Sequence, residues 1–346
     1  MTDNSIKENC NINDDFKYIL YAIVFSLVFI LGLIFNMVTL YIFSFTLKQR
    51  NETTIYMLNL AVSDTLFVLS LPFRIFYFIN KHWPFADMLC KISVALFYTN
   101  MYSSILFLTC ICADRFLAIV YPFASRSLRT KRKAIIASCV IWLFVLSGSF
   151  SIGFQLDTSG NNNNTTTPNN TSVKCFEKYS SDQWKSKLSK VVVFMEVVGF
   201  VIPVMINLFC SIRIVRILRN PSTAKHEGQL NKTKVLRMIV VHLLVFCLCF
   251  IPYNVNLVFY ALVRSKTIKN CGVETVVKIF YPIAFCIAVT NCCFDPIIYY
   301  FTSETFQNTI KRKSYAAQSS IKHGDGTETE SVSKSIRQKL FNESSL

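Results

Sequence analysis

The chain has 346 residues, 52% of them hydrophobic and only 16% charged, whereas soluble globular chains carry about 25% charged residues. That deficit argues against a cytosolic enzyme, and the apolar residues stand in long blocks instead of alternating at a strand or surface-helix period. A formal net charge of +16 would suit nucleic acid, but its distribution along the chain reads as membrane topology, so no nucleic-acid partner is expected.

From Tyr18 to Leu47, thirty consecutive positions carry no Asp, Glu, Lys, Arg or His; a helix needs about 20 apolar residues to cross a bilayer core. Six more blocks follow: Ile55 to Ile79, Ile92 to Val120, Ala134 to Leu156, Val191 to Leu218, Val235 to Val263 and Ile279 to Phe301. Lipid cannot satisfy backbone polar groups, and blocks of this length exceed barrel strands, so each is expected to be a helix. The expected fold is an all-α bundle of seven transmembrane helices. Residues 1–17 form an outer segment, 18–302 the bundle, 303–313 a short amphipathic eighth helix at the inner membrane face, and 314–346 a polar, Ser-rich tail without fixed structure.

The segments 48–52, 117–133, 213–237 and 304–313 concentrate Lys and Arg against Glu52, Glu227 and Glu304 alone. Segments 1–17, 80–91, 157–190 and 264–278 are nearer balance, with 13 basic against 9 acidic residues. Basic excess marks the cytoplasmic side, so the amino terminus is expected outside, with the first helix acting as its own insertion signal. Glycosylation sequons at Asn163, Asn164, Asn169 and Asn170 fall in one outer loop. Of 13 cysteines, nine lie within spans and four (Cys10, Cys90, Cys175 and Cys271) in outer segments, an oxidising compartment. Four cysteines allow three pairings; we favour Cys90 with Cys175 and Cys10 with Cys271.

Charges within a bilayer are costly and demand a reason. Asp64 in the second block and Asp295 in the seventh, with Asn36, Ser104 and Asn291 at similar depth, could hold a hydrated cation; Asp64, Ser104, Asn291 and Asp295 are the candidate sodium ligands. No other metal or cofactor is expected. Asp114 and Arg115 end the third block before a basic loop and are expected to pair while the bundle is closed. In the sixth block Pro252 above Phe246 and Phe250 reads as a hinge, and Pro296 loosens the seventh. His242 reads as a satisfied interior polar group.

Taken together, Leu60 to Asp64, Trp83, Cys90, Asp114-Arg115-Phe116, Trp142, Pro203, Pro252 and Asp295-Pro296 with Tyr299 resemble rhodopsin-like G-protein-coupled receptors, over about residues 16–313. The chain departs from the usual pattern at Phe116, where Tyr is common, at Phe250 for Trp, at Asp295 for Asn and at Ser211 for Tyr. The first three look like the family's nucleotide-and-lipid branch. Residues 51–54, 71–78, 97–102 and 291–296 are similar to lysophosphatidic acid receptors of that branch. The resemblance implies a plasma-membrane receptor that couples to heterotrimeric G proteins, mainly of the twelve/thirteen class, with Rho signalling downstream. Receptor kinases and arrestin acting on the tail, and membrane lipids, are its further expected partners.

Lysophosphatidic acid is a phosphate monoester on one acyl chain, so such a receptor needs cations at its outer mouth above an apolar cleft. Arg74, Lys91, Arg264 and Lys278 are the candidate cations, with Tyr77, Tyr98, Tyr102 and Tyr281 adding hydroxyls. The small or flexible residues Ser147, Gly148, Ser151, Phe194, Met195 and Val198 could border a sideways opening for the acyl chain. Asp114, Arg115, Phe250, Pro252, Asp295, Pro296 and Tyr299 form the expected switch. A nucleotide or another anionic lysophospholipid would suit the same cations. A transporter would show internal repeats and paired broken helices, and an enzyme a nucleophile, metal or glycine-loop constellation; the sequence displays neither.

Overall fold

The computed structural model describes residues 15–46, 51–154, 175–176, 188–219, 232–268, 270–302, 306–312 and 315. Seven of its helices are long and apolar enough to cross a membrane. They are α1 (Phe16–Tyr41, continued by a wider π-helical turn at Ile42–Thr46), α2 (Glu52–Asn80), α3 (Asp87–Val120), α4 (Lys131–Gly153), α5 (Ser189–Arg219), α6 (Lys232–Arg264) and α7. The last runs Cys271–Val289 and, after a break at Thr290, Asn291–Thr302. Residues 306–312 are also helical and belong to a separate unit that begins at Ser303.

Local chemistry sets the ends. Asn51 precedes α2 in extended backbone, and its side-chain oxygen accepts from the Thr54 N–H at 2.8 Å and the Thr54 hydroxyl at 2.6 Å. Thr130 caps α4, and Asn270 caps α7 by accepting from the N–H groups of Gly272 and Val273, each satisfying donors that a helix start leaves open. That cap explains why α7 begins eight residues before the apolar block at Ile279. Its first two turns are polar, and Glu274 and Lys278 on them pair at 2.5 Å. Lys81, in the left-handed conformation at φ 54°, ends α2 and returns its N–H to the Tyr77 carbonyl.

α1 packs on α2 and α7, α4 on α2, α3 and α5, and α6 on α5 and α7, while α3 touches α2, α4, α5 and α6. In the most apolar stretches of α2, α3 and α7, 61%, 56% and 56% of residues are buried, against 28% in α1 and α4, so these three helices form the interior on which the functional side chains converge. α5 widens into a π-helical turn at Val197–Val201. The ring of Tyr102 fills the space beside it: a Cβ built on Gly199 would come within 2.7 Å of that ring. Prolines lie inside α2 (Pro72), α6 (Pro252) and α7 (Pro282, Pro296), where each removes a main-chain donor.

Candidate functional site

At one end of the bundle the Cys90–Cys175 disulfide ties the segment after α4 to the start of α3. It delivers Phe176, in left-handed backbone at φ 67°, onto Tyr77 (5.4 Å), Trp83 (5.4 Å) and Phe78 (6.0 Å between ring centroids). Beneath this aromatic cover lies Arg74, 3% exposed. One guanidinium nitrogen donates to the Ser93 carbonyl at 2.6 Å, and the guanidinium carbon lies 4.5 Å from the Phe176 ring centroid. Its Nε has no acceptor within the protein, and among the described residues no carboxylate pairs with it. The hydroxyls of Tyr98, Tyr281, Tyr253 and Tyr21 lie within electrostatic reach. Tyr253 and Tyr281 touch hydroxyl to hydroxyl at 3.3 Å, and the rings of Phe97, Tyr253 and Phe285 pack below them. A buried cation without a counter-ion costs several kcal/mol, so this corner is built for an anion.

The remaining candidates divide. Tyr77, Tyr98 and Tyr281 stand in this corner with Arg74. Lys91 and Lys278 are each held by an acid one helical turn away, Asp87 at 2.8 Å and Glu274 at 2.5 Å, while Arg264 ends α6. Tyr102 faces the other way and donates to Glu196 at 3.2 Å. Cys271 is disulfide-bonded, while Cys10 and the sequon residues Asn163, Asn164, Asn169 and Asn170 lie outside the described residues. Between α4 and α5 the expected opening is filled: Met195 is fully buried, and a Cβ on Gly148 would meet its sulfur at 2.3 Å.

Midway along the bundle Asp64 and Asp295 are both fully buried and their carboxylates face each other. Asn100 donates to one oxygen of Asp64 at 2.8 Å, and Asn291 donates to Ser104 at 3.0 Å. One oxygen of Asp64 and both of Asp295 have no donor within the protein. Two facing carboxylates require a shared proton or a cation between them, and anionic and hydroxyl oxygens are the donor set of a hard cation.

At the opposite end Asp114, 6% exposed, accepts from Arg129 at 2.7 and 3.3 Å and from the Thr53 hydroxyl at 2.5 Å. Arg115 donates to that same hydroxyl at 3.1 Å. The expected direct pair of Arg115 with Asp114 is therefore corrected to a relay: Thr53 stands between them, and loop residue Arg129 supplies the counter-charge. The carboxylate holds the Arg129 guanidinium pKa above its ordinary value. Ser211, short where the resemblance expects a Tyr, leaves a small cavity bordered by Cys112, Arg115, Met238 and His242. His242 is satisfied by Asn207 at 2.9 Å, which donates to Thr109 at 2.6 Å, as an interior polar group should be. Phe250 is fully buried against Phe246 (5.4 Å), and Asn254 donates to the Phe250 carbonyl beside Pro252.

Sequence reasoning missed Phe176, Tyr253, Thr53 and Arg129, whose roles arise only from contacts distant along the chain. Glu196 had a signal, being the lone acidic residue of an apolar block.

Residues 35–299 match the family described as 7 transmembrane receptor (rhodopsin family). The chain is 56% identical over 312 residues to lysophosphatidic acid receptor 6 of Homo sapiens, covering 90% of this chain and 89% of that protein. It is 56% identical over 308 residues to the Gallus gallus receptor of the same name, covering 89% and 98%. Against lysophosphatidic acid receptor 4 of Homo sapiens it is 54% identical over 301 residues, covering 87% and 79%. The chain therefore belongs to the rhodopsin family of seven-transmembrane, G-protein-coupled receptors, which are not enzymes.

Proposed function

We propose that this chain is a plasma-membrane receptor for lysophosphatidic acid, with the disulfide end outside the cell and the Asp114 end in the cytoplasm. Agonist binding at the first end opens the second to heterotrimeric G proteins, chiefly the twelve/thirteen class that drives Rho. The observation that carries the ligand is Arg74, buried, paired with no carboxylate among the described residues, and ringed by tyrosine hydroxyls. A phosphate monoester supplies the missing charge and oxygens that a guanidinium can grip bidentately. The aromatic floor of Phe97, Tyr253 and Phe285 suits the acyl chain, and relatives 54% to 56% identical bear the name of this lipid. The basic residues beside Asp114, from Arg126 to Lys133, favour the cytoplasm for that end.

A ligand shifts the bundle only by its preference for the open state. Phosphate held by Arg74 and Tyr281 draws the outer ends of α6 and α7 inward. Phe250 and the Pro252 hinge transmit the strain, the Thr53 relay releases Arg115, and the inner end of α6 swings out. Asp64 and Asp295, with Ser104 and Asn291, would hold sodium in the closed state. Receptor kinases and arrestin act on the tail, which lies outside the described residues. Arg115→Ala is expected to abolish G-protein activation while radiolabelled lysophosphatidic acid still binds within about threefold of wild type, a split typical of a group outside the ligand site. Persisting Rho activation at matched surface expression contradicts the scheme.

Sideways access between α4 and α5 belongs to the same proposal, with Met195 as the movable plug. Methionine adapts its shape readily; an indole does not. Gly148→Trp is expected to lower lipid potency at least about tenfold, the cost of roughly 1.4 kcal/mol of lost binding, at normal surface expression. Unchanged potency removes this route.

A further inference from the structure

The lone carboxylate of α5 runs against the logic of a site for an anion. Glu196 is 4% exposed, inside a membrane-spanning helix, and a charge there normally marks function. One of its oxygens accepts from Tyr102 at 3.2 Å; the other has no donor within the protein. Gly199, on the wide turn just after it, packs against the ring of Tyr102, so the donor to Glu196 is held in place. The Tyr102 ring stacks on that of Tyr98 at 6.5 Å and 17°, and Tyr98 is one of the hydroxyls facing Arg74. A polar track therefore runs from Arg74 through Tyr98 and Tyr102 to Glu196. Its middle step, Tyr98 to Tyr102, is one helical turn of α3, four residues or about 6 Å.

Resting on the lipid reading above, we propose that Glu196 is a specificity residue that accepts a hydrogen bond from the free glycerol hydroxyl of the lysophospholipid. The phosphate dianion and the ester oxygens only accept, so the hydroxyl is the one donor that the ligand keeps in every phosphate ionisation state. It sits a few bonds from phosphorus, a span that matches one turn of helix. A carboxylate oxygen that lacks a donor is left unpaired when the hydroxyl is capped, and sites built to bond a hydroxyl discriminate strongly against analogues without one. This makes Glu196 the group that tells a lysophospholipid from its fully acylated counterpart.

The test compares 1-oleoyl lysophosphatidic acid with its analogue methylated on the free hydroxyl, read as G-protein activation by the full chain at matched surface expression. In the wild type the hydroxyl-bearing lipid is expected to be roughly 10- to 100-fold more potent, the range for losing a hydrogen bond to a charged group. Glu196→Leu should bring the ratio close to one. Glu196→Gln, which offers an N–H to the ether oxygen, should cut it to about threefold or less and guards against a leucine variant that fails to reach the surface. A wild-type ratio near one, or a wild-type ratio preserved in both variants, overturns the assignment alone. Failure of the wild type to respond to either lipid overturns the lipid reading, and this inference with it.

Discussion

Arg74→Ala is expected to weaken lysophosphatidic acid by about 100-fold while leaving the ligand-free receptor as stable as the wild type or more so. The two signs differ because the guanidinium is buried and, among the described residues, no carboxylate pairs with it. In the empty receptor its desolvation is offset by the Ser93 carbonyl, the Phe176 and Phe97 rings and nearby tyrosine hydroxyls but by no carboxylate among the described residues, so removing it relieves part of the cost of burying a charge. With phosphate bound, the same side chain makes a fully desolvated charge pair, whose truncation costs about 2 to 5 kcal/mol at tenfold per 1.4 kcal/mol. Arg74→Lys keeps the charge but loses the planar fork, so it should fall between the two. Concentration–response curves and the melting temperature of the detergent-solubilised, ligand-free receptor check both halves. Lost potency together with a large fall in melting temperature would mean that Arg74 is structural.

At the Asp114 end the relay predicts opposite outcomes for two variants that break the same ion pair. Asp114→Asn removes the charge that organises Thr53, Arg129 and, through Thr53, Arg115. Arg115 then loses the tether through Thr53, and ligand-independent G-protein activation is expected to rise at least about fivefold, the lower end of ordinary coupling energies. Arg129→Ala instead leaves a buried carboxylate whose remaining cation is Arg115. That residue is held more tightly, so basal activity should stay flat or fall and agonist potency should drop. Ligand-independent signalling at matched surface expression separates the two. A comparable rise in both would mean that Arg129 itself carries the lock.

Much of this was legible in the sequence because membranes impose simple rules. The seven spans follow from uninterrupted apolar length, and the start of α7 was misjudged because Asn270 caps two polar turns that no hydropathy block includes. Arg74 stood out as a cation inside an apolar run, and the structure puts three of the four tyrosines chosen with it in the same corner. Residue type reveals the Tyr102 hydroxyl but not the acceptor it faces, Glu196. The Asp114–Arg115 pair was misread for a related reason: neighbours in sequence need not be partners when Thr53, 61 residues away, reaches the same oxygen. The α4–α5 opening rested on small residues, which equally permit close packing, and Met195 takes up that space.

The measurement closest to the central claim is Rho-linked signalling in cells that express the full chain, challenged in parallel with lysophosphatidic acid, uridine and adenosine diphosphates and lysophosphatidylserine, with Arg74→Ala alongside. The account predicts a response to lysophosphatidic acid that Arg74→Ala removes at equal surface expression. A response to a nucleotide alone would keep the receptor and contradict the lipid.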